Sequence, residues 1–170
     1  MKLKLLIFDL DDTLLDTTRL LLPIARTPAF EKRILQTLPL MEGAEENLNY
    51  LQKKYQLVLL TQGRPEAQKQ KVASLKIETY FKGLYFVDPS QKQTKGQSVQ
   101  KILRTFAVSA QEVLSIGNRR HTDIRESKQQ GTWTCLFRYG EHQNEVVEIP
   151  ADQPDFEVHH HQDLIKICQL

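Results

Sequence analysis

The residues able to do chemistry gather first at Phe8-Asp9-Leu10-Asp11-Asp12-Thr13, directly after the apolar run Leu5-Leu6-Ile7. Carboxylates this close raise one another's pKa unless positive charge sits among them. A hard divalent cation with oxygen ligands supplies such charge. Asp9 and Asp11 lie two positions apart, so on extended chain they face the same way. One can attack as a carboxylate nucleophile while the other gives and takes a proton. A plainer use of the same residues is a solvated acidic turn that caps the following helix.

Three more stretches carry suitable side chains. Thr61-Gln62-Gly63 follows Leu57-Val58-Leu59-Leu60; its hydroxyl and backbone amides suit phosphoryl oxygens at a helix start. Lys95 opens a helical period, a place where the helix dipole disfavours a cation. It is therefore expected to be held by something negative, with Lys92 as its rival. Gly117-Asn118-Arg119-Arg120-His121-Thr122-Asp123 follows Val113-Leu114-Ser115-Ile116. There Asn118 offers an oxygen without charge. Asp123 can bind a metal directly, bind it through water, or cap a helix. Arg119 and Arg120 read as surface charge, with contact to a substrate anion as the alternative. In His159-His160-His161, neighbours on extended chain point to opposite sides, so no metal tract is expected.

Strands must bring these stretches together. Buried runs are expected at 5–8, 57–60, 84–87, 113–116 and 132–137, with a short edge strand at 155–158. Helical periods fall between them: 42–54, 65–76, from Lys95, 122–130 and 162–168. Strands that alternate with helices call for a parallel sheet covered on both faces. Residues 14–41 read as two short helices interrupted at Pro23, too few for a core of their own. The expectation is a single α/β domain over residues 1–170, a doubly wound parallel sheet with 14–41 as an insertion after the first strand.

The four chemistry-bearing stretches, in this order, resemble the four motifs of the haloacid dehalogenase (HAD) superfamily, and the resemblance spans nearly the whole chain. It implies a Rossmann-like fold, with 14–41 as a minimal helical cap. It also implies a phosphatase that hydrolyses phosphate monoesters through an aspartyl-phosphate, since the phosphatases carry the second Asp followed by Thr. By this resemblance Asp9 is the nucleophile and Asp11 the general acid/base. Thr61, Gln62, Gly63 and Lys95 hold the phosphoryl group. Mg²⁺ is held by Asp9, Asp11, Asn118 and Asp123. The family usually has an acid where Asn118 stands and Asn or Ser where Gln62 stands. A non-catalytic HAD-like protein that binds a phosphorylated ligand or partner is the competing reading, favoured by Asn118.

Composition sets the outer limits. The 170 residues have a net charge of +2, which exerts no general pull towards nucleic acid or membrane. Cys135 and Cys168 stand in apolar settings and read as buried thiols in a reducing compartment. The apolar start is broken by Lys4 and ends in acids, unlike a signal peptide. A cytoplasmic enzyme is expected, acting on a small phosphate ester or a phosphorylated macromolecule.

Overall fold

The computed structural model describes residues 1–170. Its six strands are β1 (Leu5–Phe8), β2 (Gln56–Gln62), β3 (Gly83–Val87), β4 (Val113–Gly117), β5 (Trp133–Phe137) and β6 (Phe156–Val158). They form one parallel sheet in the order β3-β2-β1-β4-β5-β6. Parallel neighbours need crossovers. These are made by α1 (Thr17–Leu20), α2 (Pro28–Ile34), α3 (Ala44–Leu51), α4 (Pro65–Leu75), α5 (Lys95–Thr105) and α6 (Arg125–Gln129); α7 (His161–Ile167) closes the chain.

Side chains alternate across the sheet, as the two-residue strand period requires. Leu6, Phe8, Leu57, Leu59, Leu114 and Ile116 face the larger core, with Leu48 and Leu51 of α3, Val72 and Leu75 of α4, and Leu164 of α7. Leu5, Ile7, Val58, Leu60 and Val113 face the other side, against Val99 and Ile102 of α5. β1 is buried on both faces because all four of its residues are apolar.

Residues 14–41 hold α1, a 3₁₀ turn at Leu22–Ile24 containing Pro23, and α2. Their Leu21, Ile34 and Leu38 join the larger core, so the insertion packs on the sheet domain. A helix expected at 122–130 is instead split. Arg120–Ile124 forms a π-helical turn, and α6 begins only at Arg125. The cause is local: the Asp123 carboxylate turns back to accept from the Arg119 amide at 2.9 Å. It packs against Gly117, where any Cβ would collide with that carboxylate.

The surface-charge reading fails for Arg120. Its side chain is buried, pairing with Glu157 at 3.1 Å and donating to the carbonyls of Glu145 and Asp152. The polar stretch 138–154 is thereby fastened to the domain. No helix is long and apolar enough to cross a membrane.

Candidate active site

The C-terminal ends of β1, β2 and β4 meet where the strand order switches direction about β1, with β2 and β3 towards one edge of the sheet and β4 to β6 towards the other, the usual place for a ligand in such folds. A cleft of about 260 Å³ opens there, lined by Asp9, Asp11, Gln62, Gly63, Lys95, Asn118 and Arg119 among others. Asp9 continues β1, its amide donating to Ile116 O at 2.9 Å. Its Oδ1 accepts from Lys95 Nζ at 2.7 Å, and the same ammonium pairs with Asp123. Burial pushes the Asp9 carboxyl up to about 7; Lys95 partly offsets this, and the charges of Asp123 and Asp11 reinforce it. Burial also works against the charge of Lys95, but Asp123 and Asp9 outweigh it and raise its pKa.

A capping box between Thr94 and Gln97 fixes the start of α5 and makes Lys95 its first residue. That settles which lysine reaches Asp9. Lys92 lies exposed past a 3₁₀ turn, with a left-handed backbone.

Asp11 has a different setting. Burial alone would raise its pKa, but Lys71, Thr17 and Gln68 outweigh burial and lower it. Lys71 Nζ donates to Oδ1 at 2.7 Å and Gln68 Nε2 to Oδ2 at 2.8 Å; the Thr17 hydroxyl also donates to Oδ1. Gln68 also donates to Thr61 Oγ1 at 2.6 Å. Thr61 is fully buried beneath the cleft; Gln62 and Gly63 line it. Asn118 is buried with one long contact, Nδ2 to Tyr139 O at 3.5 Å. Asp123 has both oxygens engaged, by Lys95 and by the Arg119 amide.

Gln68 and Lys71 are the site residues that sequence reasoning missed. A signal existed. Ala67, Gln68, Lys71, Val72, Ser74 and Leu75 all fall on the buried arc of α4, so three polar residues stand where the period demands apolar ones; Ser74 bonds the Ile34 carbonyl and the other two reach Asp11. His161 plays a structural part, its Nε2 donating to Thr13 O at 2.7 Å while Asn47 holds the ring and the backbone. His159 and His160 are exposed. His121, Glu148 and Asp152 also converge, with ligand atoms within 4.8 Å. Arg125 already supplies the charge there, at 2.6 Å from Asp152 and 2.8 Å from Glu148.

An open parallel sheet with two carboxylates and a buried lysine at its strand ends defines an α/β enzyme with an anion-handling site. The chain belongs to the haloacid dehalogenase-like hydrolases, whose family model matches residues 25–137. That span includes Thr61, Lys95 and the Gly117–Asp123 turn; Asp9 and Asp11 precede it and join by geometry. A glyceraldehyde 3-phosphate phosphatase of Pyrococcus abyssi is 28% identical over 81% of this chain and 82% of its own length. The protein of the same name from Pyrococcus furiosus is 24% identical, over 83% of each. Among solved structures, 2-haloacid dehalogenase from Pseudomonas syringae pv. tomato superposes with a TM-score of 0.76, 17% identity and 98% coverage of each chain. A magnesium-bound structure of YfnB from Bacillus subtilis gives 0.75, 19% and 100% of each. These two share the fold.

Proposed function

We propose that this hydrolase cleaves phosphate monoesters through an aspartyl-phosphate on Asp9. The observation that carries the reading is Lys95, whose buried ammonium fixes Asp9 Oδ1 and leaves Asp9 Oδ2 without a hydrogen-bond partner at the cleft. A carboxylate held this way can meet a phosphorus atom in line, and the lysine can take up phosphoryl charge. The Gln62–Gly63 turn lines the cleft and adds backbone donors; the Thr61 hydroxyl lies buried beneath it and accepts from Gln68. In the first half, Asp9 bonds to phosphorus and the ester P–O bond breaks; Asp11, which Lys71, Thr17 and Gln68 keep as the carboxylate in the free enzyme, takes up a proton as the negatively charged ester arrives beside it and passes that proton to the leaving oxygen. In the second, water attacks phosphorus, Asp11 takes its proton, and the Asp9 carboxylate is restored.

The donors present fit Mg²⁺. Asn118 Oδ1 has no hydrogen-bond partner, the Asp11 carbonyl accepts no backbone hydrogen bond, and Asp9 Oδ1 accepts a single hydrogen bond, from Lys95, which leaves it a lone pair. These are hard oxygens of the kind Mg²⁺ takes. Asp9, Asn118 and the Asp11 carbonyl would hold the ion, and Asp123 would support them through Lys95. Bound there, it would neutralise charge on the phosphoryl group. With Asn118 the set has one carboxylate fewer than the family pattern, so binding is expected to be weak.

A second recess, of about 940 Å³, opens beside Asp11 between α2 and the start of α4. Its size is at the upper end for small-molecule sites, and it gives the leaving group room. Residues 14–41 thus act as a minimal cap that leaves the site open, which favours poor discrimination among small esters. Triose phosphates are the first substrates to try, because the curated relatives act on one. The deciding assay is release of p-nitrophenol and phosphate from p-nitrophenyl phosphate, with and without Mg²⁺. Metal-stimulated turnover with a burst supports the mechanism. Binding of the ester without release would favour the non-catalytic reading to which Asn118 points.

A further inference from the structure

We infer that Lys71 and Gln68 of α4 are positioning residues that orient the Asp11 carboxylate so that its proton exchange runs through Oδ2 alone. The inference rests on the phosphatase reading above. Lys71 lies mid-helix and is only 6% exposed. Burying an ammonium is expensive, and a buried ion pair rarely stabilises more than an apolar pair of similar volume. On the same face of α4, Ala67, Val72 and Leu75 join the main core and the other buried polar residues, Gln68 and Ser74, carry no charge. Lys71 is therefore not explained by packing, whereas its partner is the side chain that must move protons.

The hydrogen-bond count on Asp11 selects the reactive atom. Oδ1 accepts from Lys71 Nζ and from the Thr17 hydroxyl, which fills both of its in-plane lone pairs. Oδ2 accepts only from Gln68, leaving one lone pair for water or a leaving oxygen. The carboxylate requires a donor from Gln68, so the amide orientation is fixed by chemistry. Its other N–H goes to Thr61 Oγ1, so the amide cannot rotate without releasing both residues. The ring of Phe30 on α2 stands 5.9 Å from Lys71 Nζ and flanks the ammonium from the insertion side. The same geometry serves the second half-reaction. As water bonds to phosphorus, its proton passes to Asp11 Oδ2. The bond from phosphorus to Asp9 breaks, its electron pair returns to the Asp9 carboxylate, and inorganic phosphate leaves.

The test uses full-length Lys71→Met and Gln68→Leu with p-nitrophenyl phosphate, whose leaving group needs no proton. Folding is checked by urea midpoint. The first turnover is expected to stay within about threefold of wild type, while steady-state kcat falls on the order of 10²-fold, the usual worth of a placed acid/base. KM falls with it, and acid-quenched protein carries close to one covalent phosphate per chain. In Lys71→Ala, added ethylammonium restores kcat. Unchanged kcat and KM in the folded variants overturn the inference, as does a fall in kcat without accumulated phosphoenzyme. A wild-type protein with no burst and no turnover overturns the phosphatase reading instead, so the two failures are distinguishable.

Discussion

Asp9→Asn is expected to abolish turnover and yet stabilise the metal-free protein. The Asp9 carboxyl moves from an ordinary 3.8 to about 7 on folding, chiefly through burial. Between those values the folded state binds more protons than the unfolded chain. The Asp9 charge therefore costs stability increasingly as pH rises through that window, and the cost is complete above it. About three units at roughly 1.4 kcal/mol each set a ceiling of about 4 kcal/mol at pH 8. At pH 5 only about one unit of the window has been crossed, worth about 1.6 kcal/mol. Asparagine carries no charge at either pH and escapes the cost. Lys95 keeps Asp123, so no ammonium is stranded. The assay is urea unfolding in EDTA at pH 8 and pH 5, followed by circular dichroism. The variant should gain roughly 2–4 kcal/mol at pH 8, with the gain at least halved at pH 5. A variant no more stable than wild type at pH 8, or a gap that is the same at both, would refute the reasoning.

Asn118→Asp should lower the Mg²⁺ concentration for half-maximal activity by restoring a charged hard ligand; an activation curve needing as much or more metal would show that residue 118 does not face the ion. Burial lowers the pKa of His161 below 6.5, so the folded state favours the neutral ring. That contribution is present above about pH 6.5 and lost as pH falls through the depressed value. Compared with wild type, His161→Gln should lose less stability between pH 7 and pH 5 in urea titrations. Leu21→Ala should cost about 2–5 kcal/mol, because the side chain is fully buried in the sheet's own core; a loss below about 0.5 kcal/mol would mean that the insertion is packed independently.

Much of the fold was legible because the central strands are apolar runs that stop at polar residues. The six strands and their parallel arrangement followed from that pattern and its alternation with helical periods; the order across the sheet came only from the structure. Lys95 was legible for a different reason. A cation at a helix start is a local misfit, and the structure supplies the two carboxylates that resolve it. Lys71 and Gln68 were hidden by the polar composition of α4, where many Gln and Lys residues mask the two that point inward. Arg120 was hidden by distance. Its partners Glu145, Asp152 and Glu157 lie 25–37 residues further on, and pairings of that kind leave no local pattern. The π-helical turn was also out of reach, since it depends on where the Asp123 carboxylate goes after folding.

The central position of β1 has a consequence for synthesis. The strand is the first to be made, but one of its two neighbours, β4, lies 108 positions later, from Leu5 to Val113. At roughly 5–20 residues per second, that leaves β1 unpaired on one edge for about 5–20 s. A naked Leu-Leu-Ile-Phe segment is the kind that pairs with copies of itself. It is bracketed by Lys2 and Lys4 on one side and by Asp9, Asp11 and Asp12 on the other. Charges flanking an unavoidable hydrophobic strand act as gatekeepers against aggregation. The carboxylates proposed for catalysis would by this argument also protect the nascent chain. Neutralising Asp9 and Asp11 together should lower the yield of soluble protein during synthesis even where the finished fold is more stable.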